Sequence, residues 1–246
     1  MKWLLVSFTQ LMAAVAMYLA GTVFFGLALI PGISIFFNAL AYSRDMPAMS
    51  KYALLGISLA GGYFLFGLTL ILLVGFVRVV LRIRLKEGNH QIFSAETFKW
   101  AFISALYLLV NFTFIDFILL TPFANIFLRL LGVKLGKNVQ INSKHIYDAT
   151  LLEIGDNTVI GGGAIIIGHI VERSTLKLRK VKIGKNVTIG SHSTIMPGCE
   201  IGDNAIVGAG AVLRKGTKVE PRDIYYGIPA ESIRNRHKEV KENGQA

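Results

Sequence analysis

The stretch Ile183 GKNVT Ile189 GSHST Ile195 MPGCE Ile201 GDNAI Val207 GAGAV Leu213 RKGTK Val219 decides the fold. An aliphatic residue returns at every sixth position, seven times in succession. Four positions after each of the first six comes a small or β-branched residue: Val187, Ser193, Cys199, Ala205, Ala211, Thr217. A period of six matches neither an amphipathic helix nor an alternating strand. It fits a parallel β-solenoid, in which each hexapeptide forms one flat side and three sides close a triangular coil. The aliphatic residue points inward and stacks on its equivalents, so neighbouring coils bury a core that one coil could not bury alone. Gly155–Asn157, Gly184–Asn186 and Gly202–Asn204 supply turn chemistry at the corners. Cys199 falls on the small-residue phase and is read as packing, not as a nucleophile.

Working outward, a looser block precedes this run. Leu135, Ile141 and Tyr147 form one triple, and Ile154, Ile160 and Ile166 a second, with one extra residue between them. The rhythm breaks once, between Ile166 and Ile183. The segment His169–Lys180 is polar, basic and out of phase, so it is predicted to leave the prism as a loop with His169 at its root. Residues 132–228 are therefore expected to form an all-β left-handed parallel β-helix. Residues 229–246 are expected to form a short charged helical tail, frayed from Lys238 on.

The texture before Gly132 is different. The chain is 53% hydrophobic and only 17% charged, and the shortage of charge lies in this half. No charge occurs between Lys2 and Arg44, or between Lys51 and Arg78, and Asp116 alone interrupts Lys99 to Arg129. Each stretch is long enough to cross a hydrocarbon layer about 30 Å thick. Residues 1–131 are thus read as a transmembrane helical region. The first run outlasts the apolar core of a cleaved signal. Glu87–Glu96 is read as a polar loop, and Pro122 is expected to kink or end the third block. The net charge of +11 includes Arg78, Arg82, Arg84 and Lys86 beside an apolar run. That placement suits anionic headgroups on the cytoplasmic side of a multi-pass protein, and it matches no nucleic-acid motif. The third block is then expected to be a hairpin or to lie in the interface, which keeps both basic regions on one side. Asp116 is either functional or paired with a nearby polar group.

Five motifs carry a resemblance: Ile154-Gly-Asp-Asn157, Gly168-His169, Val187-Thr-Ile-Gly-Ser191, Ile206-Val-Gly-Ala-Gly210 and Gly227-Ile-Pro-Ala230. In order and spacing the chain from about Gly132 to Arg236 resembles the hexapeptide-repeat acyltransferases, in particular the galactoside, maltose and streptogramin acetyltransferase branch. A membrane segment joined to such a prism is similar to the terminal module of polylysine-synthetase-type peptide synthetases. The resemblance implies a homotrimer with sites between prisms. It also implies direct transfer of an acyl group, usually acetyl, from coenzyme A to a hydroxyl or amine, with no metal.

By the same resemblance His169 is the general base, which suits imidazole near neutral pH. A backbone N–H near Gly190 or Ser191 would stabilise the oxyanion. Asn142 and Asp148 fall near acceptor-binding positions. Ser191 and Ala209 would line the pantetheine arm, with Lys215 and Arg234 at its phosphates. Arg214 stands where the branch often has Thr, and Glu231 where it can have Arg. Glu172 is a candidate to orient His169, in the manner of a triad acid. The apolar half points to a membrane-associated or amphiphilic acceptor. Two other readings are a zinc enzyme using His145, His169 and His192, whose wide separation fits poorly, and a non-enzymatic trimeric scaffold.

Overall fold

The computed structural model describes residues 2–234. It divides into two compact units. One takes the chain up to Val77 together with Leu108–Phe114; the other takes Arg78–Tyr107 and the chain from Ile115 on. The change of texture at Gly132 is therefore not the boundary of a compact unit, because residues just before it fold with the prism.

The first unit is built on two long helices, α1 (Lys2–Tyr42) and α2 (Ala48–Val80). Within them Ala14–Tyr42 and Ala48–Val80, of 29 and 33 residues, are long and apolar enough to cross a membrane. Pro31 lies inside α1 without ending it. The next residue, Gly32, meets Gly62 of α2, where an added Cβ would stand 2.8 Å from the Gly62 carbonyl oxygen. Glycine on both sides thus lets the two backbones touch. Further along α2, the ring of Phe114 fills the space a Cβ on Gly67 would need.

In the second unit the coil stack follows the predicted rhythm. One face stacks Ile154, Ile183, Ile201 and Val219. A second stacks Ile141, Ile160, Ile189 and Val207. The third stacks Ile166, Ile195 and Leu213. All strands within these faces run parallel, and every one of these side chains is buried. Each contributes roughly 1.5–3 kcal/mol of apolar burial. The fourth member of the third face is Ile146, bridged to Ile166, and not Tyr147. The extra residue seen in the sequence is taken up here, where Asp148 turns into a short 3-10 helix, Ala149–Leu151.

The edge between the first two faces carries Asn138, Asn157, Asn186 and Asn204, all in the left-handed region. Their amides link in series at 3.3, 3.2 and 3.4 Å. Asparagine tolerates this backbone conformation and can bond along the stack. On the outer side of the first face, Lys134, Glu153, Lys182, Glu200 and Lys218 stand in register, so charges alternate coil by coil.

The segment predicted to be a loop is a hairpin. Glu87–Glu96, read as a polar loop, supplies β1 (Gly88–Gln91). Strands β2 (His169–Glu172) and β3 (Thr175–Leu178) pair antiparallel, and β1 pairs antiparallel with β3. Arg173 and Ser174 both take positive φ, as a two-residue hairpin turn requires.

Nor is the third apolar block a single span. It forms three separate helices, α3 (Ala95–Asn111), α4 (Ile115–Ile118) and α5 (Pro122–Leu131). The block breaks just ahead of Pro122, as expected, and Pro122 begins the next helix. At the first helical position its missing N–H costs nothing, and Thr121 caps the turn by accepting from the Phe123 N–H. Gly132, at φ 106, closes α5 by donating to Leu128 and Arg129. The buried stripe Ala124, Phe127, Leu128 and Leu131 docks this helix. Asp116 pairs with Lys144 at 2.8 Å, the plainer of its two readings. The expected C-terminal helix lies largely outside the described residues; Glu231–Ser232 is a strand paired with Tyr225–Tyr226, and the helical conformation begins after it, at Ile233 and Arg234.

Candidate functional site

His169 opens the β2–β3 excursion where the chain leaves the third face. Its acid is Asp148, one coil earlier on the same prism edge. The Asp148 Oδ2 lies 2.6 Å from His169 Nδ1 and accepts from the Gly168 N–H at 2.8 Å. The other oxygen, Oδ1, accepts from the indole N–H of Trp100 at 2.8 Å. The Trp100 ring also packs on the imidazole, with centroids 4.9 Å apart and planes at 57°. The Asp148 side chain is 1% exposed and that of His169 27%. A carboxylate accepts, so with Nδ1 donating to Oδ2 the neutral form of the ring has its lone pair on Nε2.

The backbone follows from this. Asp148 sits in the left-handed region at φ 59, a conformation that non-glycine residues adopt at a cost. Gly168 is hemmed in: a Cβ there would come within 3.2 Å of Asp148, Leu151 and the Arg179 carbonyl. On the far side, Arg179 donates to the Gly88 carbonyl and to Asn89, which ties β1 to the excursion.

Residues 180–215 match the family described as bacterial transferase hexapeptide (six repeats). Over 122 residues the chain is 31% identical to the "Putative acetyltransferase YvoF" of Bacillus subtilis (strain 168), covering 46% of this chain and 71% of that one. The chain belongs to the hexapeptide-repeat transferases. It is also 25% identical over 178 residues to the delta-poly-L-ornithine synthetase of Acinetobacter baumannii (strain AB307-0294), a match that takes in 72% of this chain. This hexapeptide transferase spans only 13% of the length of that relative. Among solved structures, a maltose O-acetyltransferase from Clostridium difficile 630 is 23% identical, covering 60% of this chain and 91% of that one, with a TM-score of 0.47.

The other residues singled out from the hexapeptide transferase sequence lie on three edges. Arg214 and Lys215 follow the third face, on the edge that carries Asp148 and His169. Asn142, Gly190, Ser191 and Ala209 follow the second face, on another edge. There the coils pack backbone to backbone, and a Cβ on Gly190 would meet the Ala209 nitrogen at 2.4 Å. The Gly190 N–H donates to the Val207 carbonyl. Arg234 lies at the asparagine edge, donating to the Arg222 carbonyl at 2.8 Å and facing Asp223.

Two assignments change. Asp148, taken for an acceptor-binding residue, holds the imidazole. Glu172, taken for its orienting acid, pairs instead with Lys177 at 2.6 Å and with Lys215. These cations pull its carboxyl down to about 2, Lys177 foremost. The reason is geometric: His169 and Glu172 are three apart on one strand, and an odd separation puts side chains on opposite faces. Cys199 is buried, and burial pushes its thiol up to about 11, in keeping with packing. Among the described residues no group of three or more His, Cys, Asp or Glu side chains is placed to hold a metal ion.

Sequence reading missed Trp100 altogether. It looked like the first residue of an apolar block, yet Trp100, Ile103 and Tyr107 recur at helical spacing on a segment that also holds Glu96 and Lys99. That mixed, one-sided pattern was the available signal.

Proposed function

We propose that this hexapeptide transferase is an acyl-CoA-dependent O- or N-acyltransferase, using acetyl-CoA, that acts on a membrane-associated or amphiphilic acceptor. The observation that carries the reading is the buried Asp148 bonded to the partly exposed His169. His169 Nε2 takes the proton of the acceptor hydroxyl or amine as that atom attacks the thioester carbonyl. The tetrahedral oxyanion, held by the Ser191 N–H, then collapses. The C–S bond breaks, the acyl group stays on the acceptor, and the imidazolium returns its proton to the departing thiolate. No covalent enzyme intermediate forms.

Ser191 and His169 stand on different edges of one prism, so a homotrimer that sets one edge against another subunit's would complete the site. Arg214, exposed on the His169 edge, is available to the phosphates of coenzyme A. Lys215 must first leave Glu172. The two long apolar helices of the first unit suit a bilayer anchor. If both cross, the chain returns to its starting side, and the basic cluster from Arg78 to Lys86 favours the cytoplasmic side.

The test uses full-length protein in detergent micelles with acetyl-CoA, and compares His169→Ala and Asp148→Asn with wild type. Losing a general base should cost about 10²–10⁴-fold in kcat, with Asp148→Asn nearly as severe. Equal rates in wild type and His169→Ala would remove the mechanism. Equal transfer to soluble and to micelle-bound acceptors would remove the amphiphile alone.

A further inference from the structure

Resting on the acyl-transfer reading, we propose that Trp100 is the positioning residue of the Asp148–His169 pair: its N–H fixes the carboxylate and its ring restrains the imidazole. The carboxylate needs it. Oδ2 is occupied by the Gly168 N–H and by His169, and Oδ1 has Trp100 as its donor at 2.8 Å. Asp148 is almost wholly buried, so without the indole a charged oxygen would lack both water and a partner. It would be expected to turn toward whatever donor it could reach, and His169 would lose its fixed tautomer.

The ring does a second thing. With the imidazole against it at 4.9 Å, Trp100 limits rotation of His169 about its side-chain bonds. It also favours the imidazolium that forms when the base takes its proton, through the attraction of a cation to an aromatic face.

Trp100 is itself held firmly. Ile103, one turn along α3, is buried in a cluster with Leu85, Leu151, Leu176 and Leu178, and Trp100 packs against that cluster. Leu151 belongs to the turn after Asp148, and Leu176 and Leu178 to β3. The same few apolar contacts therefore fix the indole, the acid and the excursion that begins at the base. Trp100 precedes both the hexapeptide repeats and the matched residues 180–215. The prism alone thus lacks a donor its site requires, and a helix from ahead of the repeats supplies it.

Two measurements on full-length protein in micelles test this. Trp100→Phe keeps a ring but removes the donor. Its kcat for acetyl-CoA thioester cleavage should fall about 10–100-fold, as for a hydrogen bond to a charged group. KM for acetyl-CoA should stay within about twofold, since the substrate is not touched. Trp100→His, able to donate again, should recover part of the rate. The second measurement is independent of activity. The chain has two tryptophans, Trp3 and Trp100, so Trp3→Phe leaves Trp100 as the only emitter. Its emission should change in intensity when His169→Gln removes the imidazole that packs on the indole.

Wild-type kcat in Trp100→Phe, with His169→Ala inactive, would overturn the positioning role and leave acyl transfer standing. Emission that ignores His169 would overturn the contact. Equal rates in His169→Ala and wild type would instead remove His169 as the base, while the fluorescence still decides where Trp100 lies.

Discussion

The coil stack and the excursion that crosses its edge are both made of short strands, yet they are held in opposite ways. In the stack each contact is one copy of a repeated contact. Ile160, Ile189 and Val207 play the same part in successive coils, and Asn157, Asn186 and Asn204 do the same at a corner. In the excursion every contact is used once. One arginine reaches back to β1, one glycine amide meets the Asp148 carboxylate, and one indole sits on the imidazole. Redundancy suits a scaffold, because neighbouring coils can absorb a local loss. Single-use contacts suit a site, because each sets one atom where the reaction needs it. The comparison separates what should cost stability from what should cost rate.

The sharpest way to break that separation is a change in the stack. Ile189 is fully buried in the middle of its column. Ile189→Ala should destabilise the fold by about 2–5 kcal/mol, from lost burial and the cavity left behind. Denaturant unfolding in micelles would measure this. The fraction still folded should keep its turnover, since no contact of the Asp148–His169 pair is altered. A folded, stable Ile189→Ala protein that had lost catalysis would show that stack and site are not separable.

The converse change belongs to the excursion. Arg179 donates to the Gly88 and Leu178 carbonyls and to the Asn89 side chain, all at 2.8–2.9 Å. Arg179→Met keeps the stem and removes the three bonds. Turnover should fall about 10-fold through misplacement of His169, the kind of loss that small errors of position produce. The unfolding midpoint should move less than for Ile189→Ala. Hydrogen exchange should quicken in Thr175–Leu178 and stay slow in Thr194–Ile195. Exchange that quickened equally in both would mean that the excursion is part of the stack's cooperative unit.

The same division explains what could be read from the amino-acid order. A contact repeated every six residues writes itself into the chain as a rhythm, so the prism, its faces and the packing role of Cys199 were legible. His169 stands out in the sequence because it lies where the rhythm stops. The single-use contacts leave no rhythm. Gly88–Gln91 has no strand pattern of its own and becomes a strand only because β3 offers it a partner. Trp100 and Asp148 are 48 residues apart, and nothing local announces that they meet. The apolar run from Trp100 to Leu131 was read by composition as membrane; its breaks at Asn111 and Thr121, and the cap at Thr121, turn it into short helices. The partners of Glu172 leave no such mark either: in a loop, an acid three residues from His169 could swing back to it. As a strand it cannot.

Glu172 gives the mildest test. It joins the excursion to the stack through Lys177 on β3 and Lys215 on the next edge turn. Those cations hold its carboxyl down at about 2, so what the links contribute is complete above the ordinary carboxylate range and is lost only as pH falls through about 2. Between pH 5 and 8, then, Glu172 should add no slope to either stability or rate. Exposed ion pairs contribute little and are weakened by salt, so Glu172→Gln should leave turnover within about twofold. By freeing Lys215 it should also make that cation more available to the phosphates of coenzyme A and lower KM for acetyl-CoA slightly at low ionic strength. A large loss of kcat in Glu172→Gln would restore the carboxylate to the catalytic group, and would mean that a surface pair of this excursion governs the base as firmly as the buried Asp148 does.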